Sequence, residues 1–130
     1  ADERGLDAVD GSMELLDVLG IAHRREEQAK SLPYGDQRRL EIARALAVEP
    51  KVLLLDEPVA GMTDEETERT AQLFLTLKGK HSLMVVEHDM SFIKAISETV
   101  TVLCDGAVLA QGTLEEVQAD ERVIEVYLGR

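Results

Sequence analysis

Val52-Leu53-Leu54-Leu55-Asp56-Glu57-Pro58 decides the fold class of this chain. Four apolar residues run without alternation, and two acids and a proline stop them. A continuous run of this kind suits a strand buried on both faces, hence a parallel sheet covered by helices. Ligands of open α/β sheets bind beyond the carboxyl ends of such strands, and here two carboxylates stand side by side at that end. Burying carboxylates is costly unless they hold a metal or a partner. In the blander setting they are solvated and cap the next turn.

The flanks extend the pattern. Thr63-Asp64-Glu65-Glu66 is a capping box, a threonine followed three residues later by a glutamate. It predicts a helix to about Lys78 that buries Thr70, Ala71, Phe74 and Leu77, with Gly79 as its stop. Ser82 to Val86 reads as a second buried strand, ending in Glu87-His88-Asp89. Parallel strands place His88 at the same sheet edge as Asp56 and Glu57, whereas His81 lies at the opposite end and cannot converge on it. Upstream, Asp36 to about Val48 is helical, with Leu40, Ala43 and Ala47 on one face, and Glu49-Pro50 ends it. Gly35 directly before that helix offers free backbone N–H groups and a dipole that favours an anion. His23 to Lys30 reads as a short charged helix or turn, Ser12 caps a helix through Leu19 closed by Gly20, and residues 1–12 read as a frayed lead-in. Downstream, Asp89 caps a helix through Ile96 with Met90, Ile93 and Ile96 inward. Val100 to Leu103, Asp105-Gly106 and Ala107 to Gln111 form a hairpin. Thr113-Leu114-Glu115-Glu116 is another capping box, and Asp120 caps a last helix to Leu128. The order predicts α/β with right-handed crossovers.

Composition narrows the function classes. The chain has 130 residues, with 14 Lys+Arg against 26 Asp+Glu, a formal net charge of −12. That charge argues against a nucleic-acid coat or a protein bound directly to an anionic membrane. Tyr34, Phe74, Phe92 and Tyr127 are the only aromatics, too few for a base-stacking platform. A single cysteine, Cys104, excludes an intrachain disulfide and fits a reducing compartment. No apolar run approaches the ~20 residues that span a bilayer, so a membrane connection has to come through a partner.

Taken together, a glycine before a helix, then strand–Asp–Glu–Pro, then strand–Glu–His–Asp resembles the C-terminal half of the nucleotide-binding domain of ATP-binding-cassette (ABC) ATPases. Leu32-Pro33-Tyr34-Gly35-Asp36-Gln37 is similar to the signature motif, with Arg39 to Leu46 as its usual continuation. Val52 to Asp56 resembles the Walker B strand, Ala60-Gly61-Met62-Thr63 takes the D-loop position, and His88 matches the switch histidine. The resemblance covers roughly residues 12–130. The stretches 56–67, 86–92 and 123–129 are most similar to importer ATPases for urea, and the closely similar branched-chain amino acid ATPases share Arg38 to Arg44 and the Tyr127-Leu128-Gly129 ending.

The resemblance implies a P-loop NTPase-like partial parallel sheet with flanking helices, in an incomplete domain. Residues 1–50 would be a helical subdomain segment carrying the signature. Residues 51–130 would be the C-terminal part of the ATPase core, ending in a β-hairpin plus helices. It implies ATP and Mg2+ as cofactors. Asp56 would help hold Mg2+ through water, Glu57 would act as general base, and His88 would stabilise the transferring phosphoryl group. Leu32, Pro33, Tyr34, Gly35 and Asp36 would meet the ATP of a partner subunit, with Thr63 at the same interface. The implied partners are a second ATPase subunit, head to tail in a homo- or heterodimer, and integral membrane permease subunits, with no nucleic acid. The implied place is the cytoplasmic face of the plasma (inner) membrane, peripheral through the permease.

Three departures qualify this. No Gly-x-x-x-x-Gly-Lys-Ser/Thr is present: Gly79-Lys80-His81-Ser82 follows a helix and enters a strand, the reverse of a P-loop. The chain is therefore expected to be a fragment, with unpaired strand edges and no Mg-ATP binding alone. Pro33 replaces the signature serine, and Thr63 the usual D-loop aspartate. A non-transport ABC ATPase, ribosome- or chromosome-associated, would want basic extensions or long coiled-coil insertions, and neither is seen. A silent fragment acting only as an interaction module is the remaining alternative.

Overall fold

A computed structural model describes residues 3–128. The chain divides between His88 and Asp89 into two compact units.

The first unit opens with helix α1 (Glu3–Val18). It starts upstream of Ser12, so the expected cap is an interior residue, and Gly11 and Ser12 are tolerated inside the helix. Weak helix formers cost at most about 1 kcal/mol each, less than breaking the hydrogen-bond ladder. Residues 1 and 2 of the expected lead-in lie outside the described residues. The far end behaves as expected. Gly20 takes φ 71, its N–H donates to Asp17 O, and the Ile21 N–H donates to Leu16 O, the two bonds of a Schellman cap. Two 3-10 turns, Ala22–Arg24 and Ala29–Ser31, lead to α2 (Tyr34–Leu46), on which α1 packs. The buried stripe of α2 is Gly35, Ile42, Ala43 and Leu46. Ala47, expected inward, is exposed as the helix ends beneath it.

Strand β1 (Val52–Asp56) pairs in parallel with β2 (Ser82–Val86), Val52 opposite Ser82 and Asp56 opposite Val86. Between them α3 (Asp64–Leu77) carries the capping box on Thr63 and buries Thr70, Ala71, Phe74 and Leu77, as the spacing predicts. The sheet departs from expectation on one face. Leu53 is buried, but Leu54 is 71% and Met84 63% exposed. The unbroken apolar run thus marks a sheet with one face open among the described residues, and each strand has one hydrogen-bonded neighbour.

The second unit holds α4 (Met90–Ile96), β3 (Val100–Cys104), β4 (Ala107–Gly112), α5 (Leu114–Ala119) and α6 (Glu121–Leu128). Asp89 caps α4 through the Phe92 N–H. Phe92 and Ile96 are buried while Met90, expected inward, is exposed. The hairpin turns on Asp105 (φ 50) and Gly106 (φ 79), the left-handed pair a two-residue turn requires. Val102 pairs with Ala110 but Leu103 with Val108, so Leu109 is bulged out of register. The bulge turns both Leu109 and Ala110 toward a small core with Val117 and Val123.

Candidate functional site

The carboxyl ends of β1 and β2 bring Glu57 and His88 together. The Glu57 N–H donates to Val86 O at 2.8 Å, extending the strand pairing by one residue. Its backbone then turns left-handed, φ 47, a conformation that costs a non-glycine residue about 1–2 kcal/mol. Such strain persists only where surrounding structure enforces it and clusters at functional sites. Glu57 Oε1 lies 3.3 Å from His88 Nδ1, with both side chains largely exposed. Asp56, paired opposite Val86, is exposed beside them.

Glu87 binds the two strand-end loops. One carboxylate oxygen accepts the Val59 N–H at 3.0 Å and the other accepts the His88 N–H at 3.0 Å. Sequence reading gave Glu87 no separate role, because its partner Val59 lies 28 residues earlier. His81 is at the other end of β2, where its Nδ1 meets Pro50 O at 2.6 Å, so it takes no part, as expected.

The segment Leu32–Asp36 sits at the start of α2. Pro33 is the N-cap residue and supplies no side-chain cap. Leu32 is buried, and Gln37 Nε2 donates to Leu32 O at 2.8 Å, closing the loop on the first turn. Asp36 is half-buried between Arg24 (2.7 Å) and Arg39 (3.8 Å). The Arg24 Nε contact is an ion pair without hydrogen-bond alignment. Glu27 first, and then Asp36, holds the Arg24 guanidinium above its ordinary value. Arg38 Nε donates to the Tyr34 hydroxyl at 2.9 Å, and this bond, followed by Glu41, raises Arg38 likewise.

This segment meets the loop that follows Glu57. Gly61 has φ 73, and a Cβ there would lie 3.1 Å from the Tyr34 ring. A Cβ on Gly35 would lie 2.9 Å from Glu66 Oε1. Glu66 is the capping-box residue whose other oxygen accepts the Thr63 N–H at 2.9 Å, while Thr63 Oγ1 accepts the Glu66 N–H at 3.2 Å. Glycine at 35 and 61 therefore permits α2 and the Thr63 loop to lie in contact. A groove of about 160 Å3 between α2 and β1, lined by Arg38, Glu41 and Asp56 among others, is smaller than the roughly 300 Å3 at which ligand pockets begin. No group of three His, Cys, Asp or Glu among the described residues could hold a metal by itself. An exposed strand-end carboxylate still suits Mg2+, which keeps several waters and takes one or two carboxylates beside substrate phosphates.

Residues 3–60 match the family described as ABC transporter, and residues 107–130 the family described as branched-chain amino acid ATP-binding cassette transporter. The high-affinity branched-chain amino acid transport ATP-binding protein LivG of Salmonella typhimurium is 40% identical over 125 residues, covering 95% of this chain and 49% of LivG. BraF of Pseudomonas aeruginosa, which carries the same description, is 38% identical over 125 residues with the same coverage. The ADP conformation of MJ1267, an ATP-binding cassette of an ABC transporter, matches with a TM-score of 0.86 at 26% identity, over 95% of this chain and 51% of that one. The chain spans about half the length of the curated relatives it matches.

Proposed function

We propose that this chain, which is part of an ABC transporter ATP-binding domain, supplies the hydrolytic carboxylate and the partner-facing segment of an importer ATPase. The observation that carries this is the meeting of Glu57 and His88, 3.3 Å apart, beyond two paired parallel strands. Glu57 acts as general base, taking a proton from the water that attacks the γ-phosphoryl group. His88 holds Glu57 in place and offers a hydrogen bond to that phosphoryl group. Asp56 holds Mg2+ through water, and the metal, when bound, neutralises charge developing on the phosphates.

Leu32, Pro33, Tyr34, Gly35 and Asp36 present the start of α2 to the ATP of a second ATPase subunit, arranged head to tail, with Thr63 beside them. Pro33 brings no hydroxyl, so the contact relies on backbone N–H groups and the helix dipole. The P-loop contributes from outside these residues, and this chain alone neither binds nor hydrolyses Mg-ATP. No described helix is long and apolar enough to cross a membrane. Attachment to the cytoplasmic face of the membrane runs through permease subunits. The solute we assign is a branched-chain amino acid, supported by the match of residues 107–130. Urea is the second reading, resting on the likeness of residues 56–67, 86–92 and 123–129.

The test is Glu57→Gln in a full-length transporter ATPase carrying this sequence. Loss of a general base lowers ATP hydrolysis by about 100-fold or more. Hydrolysis near the wild-type rate overturns the assignment.

A further inference from the structure

We propose that Glu87 is a positioning residue that sets the approach of Glu57 to His88 by clamping the two loops that carry them. The proposal rests on the reading of Glu57 and His88 as the hydrolytic pair.

The backbone on either side of Glu57 is held by the end of β2. On the upstream side the Glu57 N–H donates to Val86 O at 2.8 Å. Downstream, Pro58 has no N–H to offer, so the first available donor is Val59, and Glu87 Oε1 takes it at 3.0 Å. Val59 is 5% exposed, and a buried amide left unpaired is strongly disfavoured. The left-handed turn at Glu57 is thus bracketed by consecutive residues of one strand end. The other Glu87 oxygen accepts the His88 N–H at 3.0 Å. One carboxylate therefore fixes both the loop bearing the base and the residue that faces it. The task needs two acceptor atoms on one rigid head. A glutamine has one oxygen, so it can serve one of the two amides and turns an N–H2 donor toward the other.

The experiment compares Glu87→Gln, His88→Ala and the double variant in a full-length transporter ATPase carrying this sequence, with residual rates read from single turnovers. If Glu87 acts through the pair, Glu87→Gln lowers kcat about tenfold with KM for ATP within about twofold, and costs less than about twofold once His88 is alanine. An equal loss in both backgrounds, or a KM change matching that in kcat, overturns the proposal. A second measurement holds whether or not the variants turn over. Hydrogen exchange at the Val59 amide, the His88 amide or both speeds at least about tenfold in Glu87→Gln, since one amide oxygen cannot hold both as the carboxylate does, with the amides of β1 and β2 unchanged. Unchanged protection at those two amides overturns the clamp. Glu57→Gln, measured alongside, separates the two levels. If it hydrolyses at the wild-type rate, the site reading itself has failed. If it is inactive while Glu87→Gln is additive, only the clamp has failed.

Discussion

Carboxylates are used differently in the two units. Beyond His88, Asp120 and Glu116 pair with neighbours in sequence: Asp120 with the Arg122 amide and guanidinium, and Glu116 with the Thr113 N–H. Before Asp89 the same local device recurs in Thr63 and Glu66, but Glu87 also reaches Val59 across 28 residues, and Glu57 meets His88 from another strand. Local pairs need only a helix end or a turn. Long-range pairs exist only after β1 and β2 have joined in register. The first kind finishes secondary structure, and the second joins the two strand ends at the candidate site.

That contrast can be broken most forcefully at the core of the first unit. Phe74 is 0% exposed, and Phe74→Ala is expected to cost about 3–5 kcal/mol. The loss reads out as a lower denaturant midpoint and as lost hydrogen-exchange protection of β1 and β2. A loss below about 1 kcal/mol would mean that the strand-end pair does not depend on this packing.

The two capping boxes give a sharper comparison at a smaller scale. Thr63→Ala and Thr113→Ala remove the same hydroxyl acceptor, and each is expected to cost about 1 kcal/mol in chemical denaturation. Only the Thr63 box also sets its glutamate beside a glycine distant in sequence, Gly35, so that loosening the box loosens the start of α2. Faster exchange of the Gln37 amide, which donates to Pro33 O in the first turn of α2, is expected in Thr63→Ala and not in Thr113→Ala. Equal behaviour of the two at that amide would place the Thr63 box among the purely local devices.

The smallest effect belongs to Asp120. Its hydrogen bonds to the Arg122 side chain, and then to the Arg122 backbone, hold its carboxyl at about 2 against the ordinary 3.8. A depressed folded value means that the unfolded chain binds more protons between those limits, so stability rises with pH there. The contribution is complete above about pH 4 and disappears as pH falls through about 2. The effect is local: protection of the Arg122 amide relative to its intrinsic exchange rate falls below pH 4 in the native chain, and Asp120→Asn flattens that dependence. A flat profile in the unmodified protein would refute the pairing.

Much of the fold was legible because its signals are local. The capping boxes at Thr63 and Thr113, the Gly20 stop, the Asp105-Gly106 turn and the buried face of α3 all follow from a few adjacent residues, and each is present. The misjudged positions depend on neighbours that periodicity does not reveal. Ala47 and Met90 are exposed although their spacing points inward. Leu54 and Met84 face outward because nothing described covers that side of the sheet. In the candidate site, Asp56, Glu57 and His88 were legible from strand ends alone. Glu87 and the contact of Tyr34 with Gly61 were not, since each joins segments distant in sequence.

The sequence by itself determined which helices and strands form, most of their stops and which acids crown the strands, though not the start of α1, expected at Ser12, or that of α2, which takes in Tyr34 and Gly35. Those outcomes follow from backbone geometry and short-range hydrogen bonding. Tertiary structure alone decided that Glu57 turns left-handed toward His88, that one carboxylate clamps both loops, and that the apolar run of β1 buries a single face. The reason is physical: distances between side chains on different strands are set by register and packing, and no segment carries that information until its partner is in place.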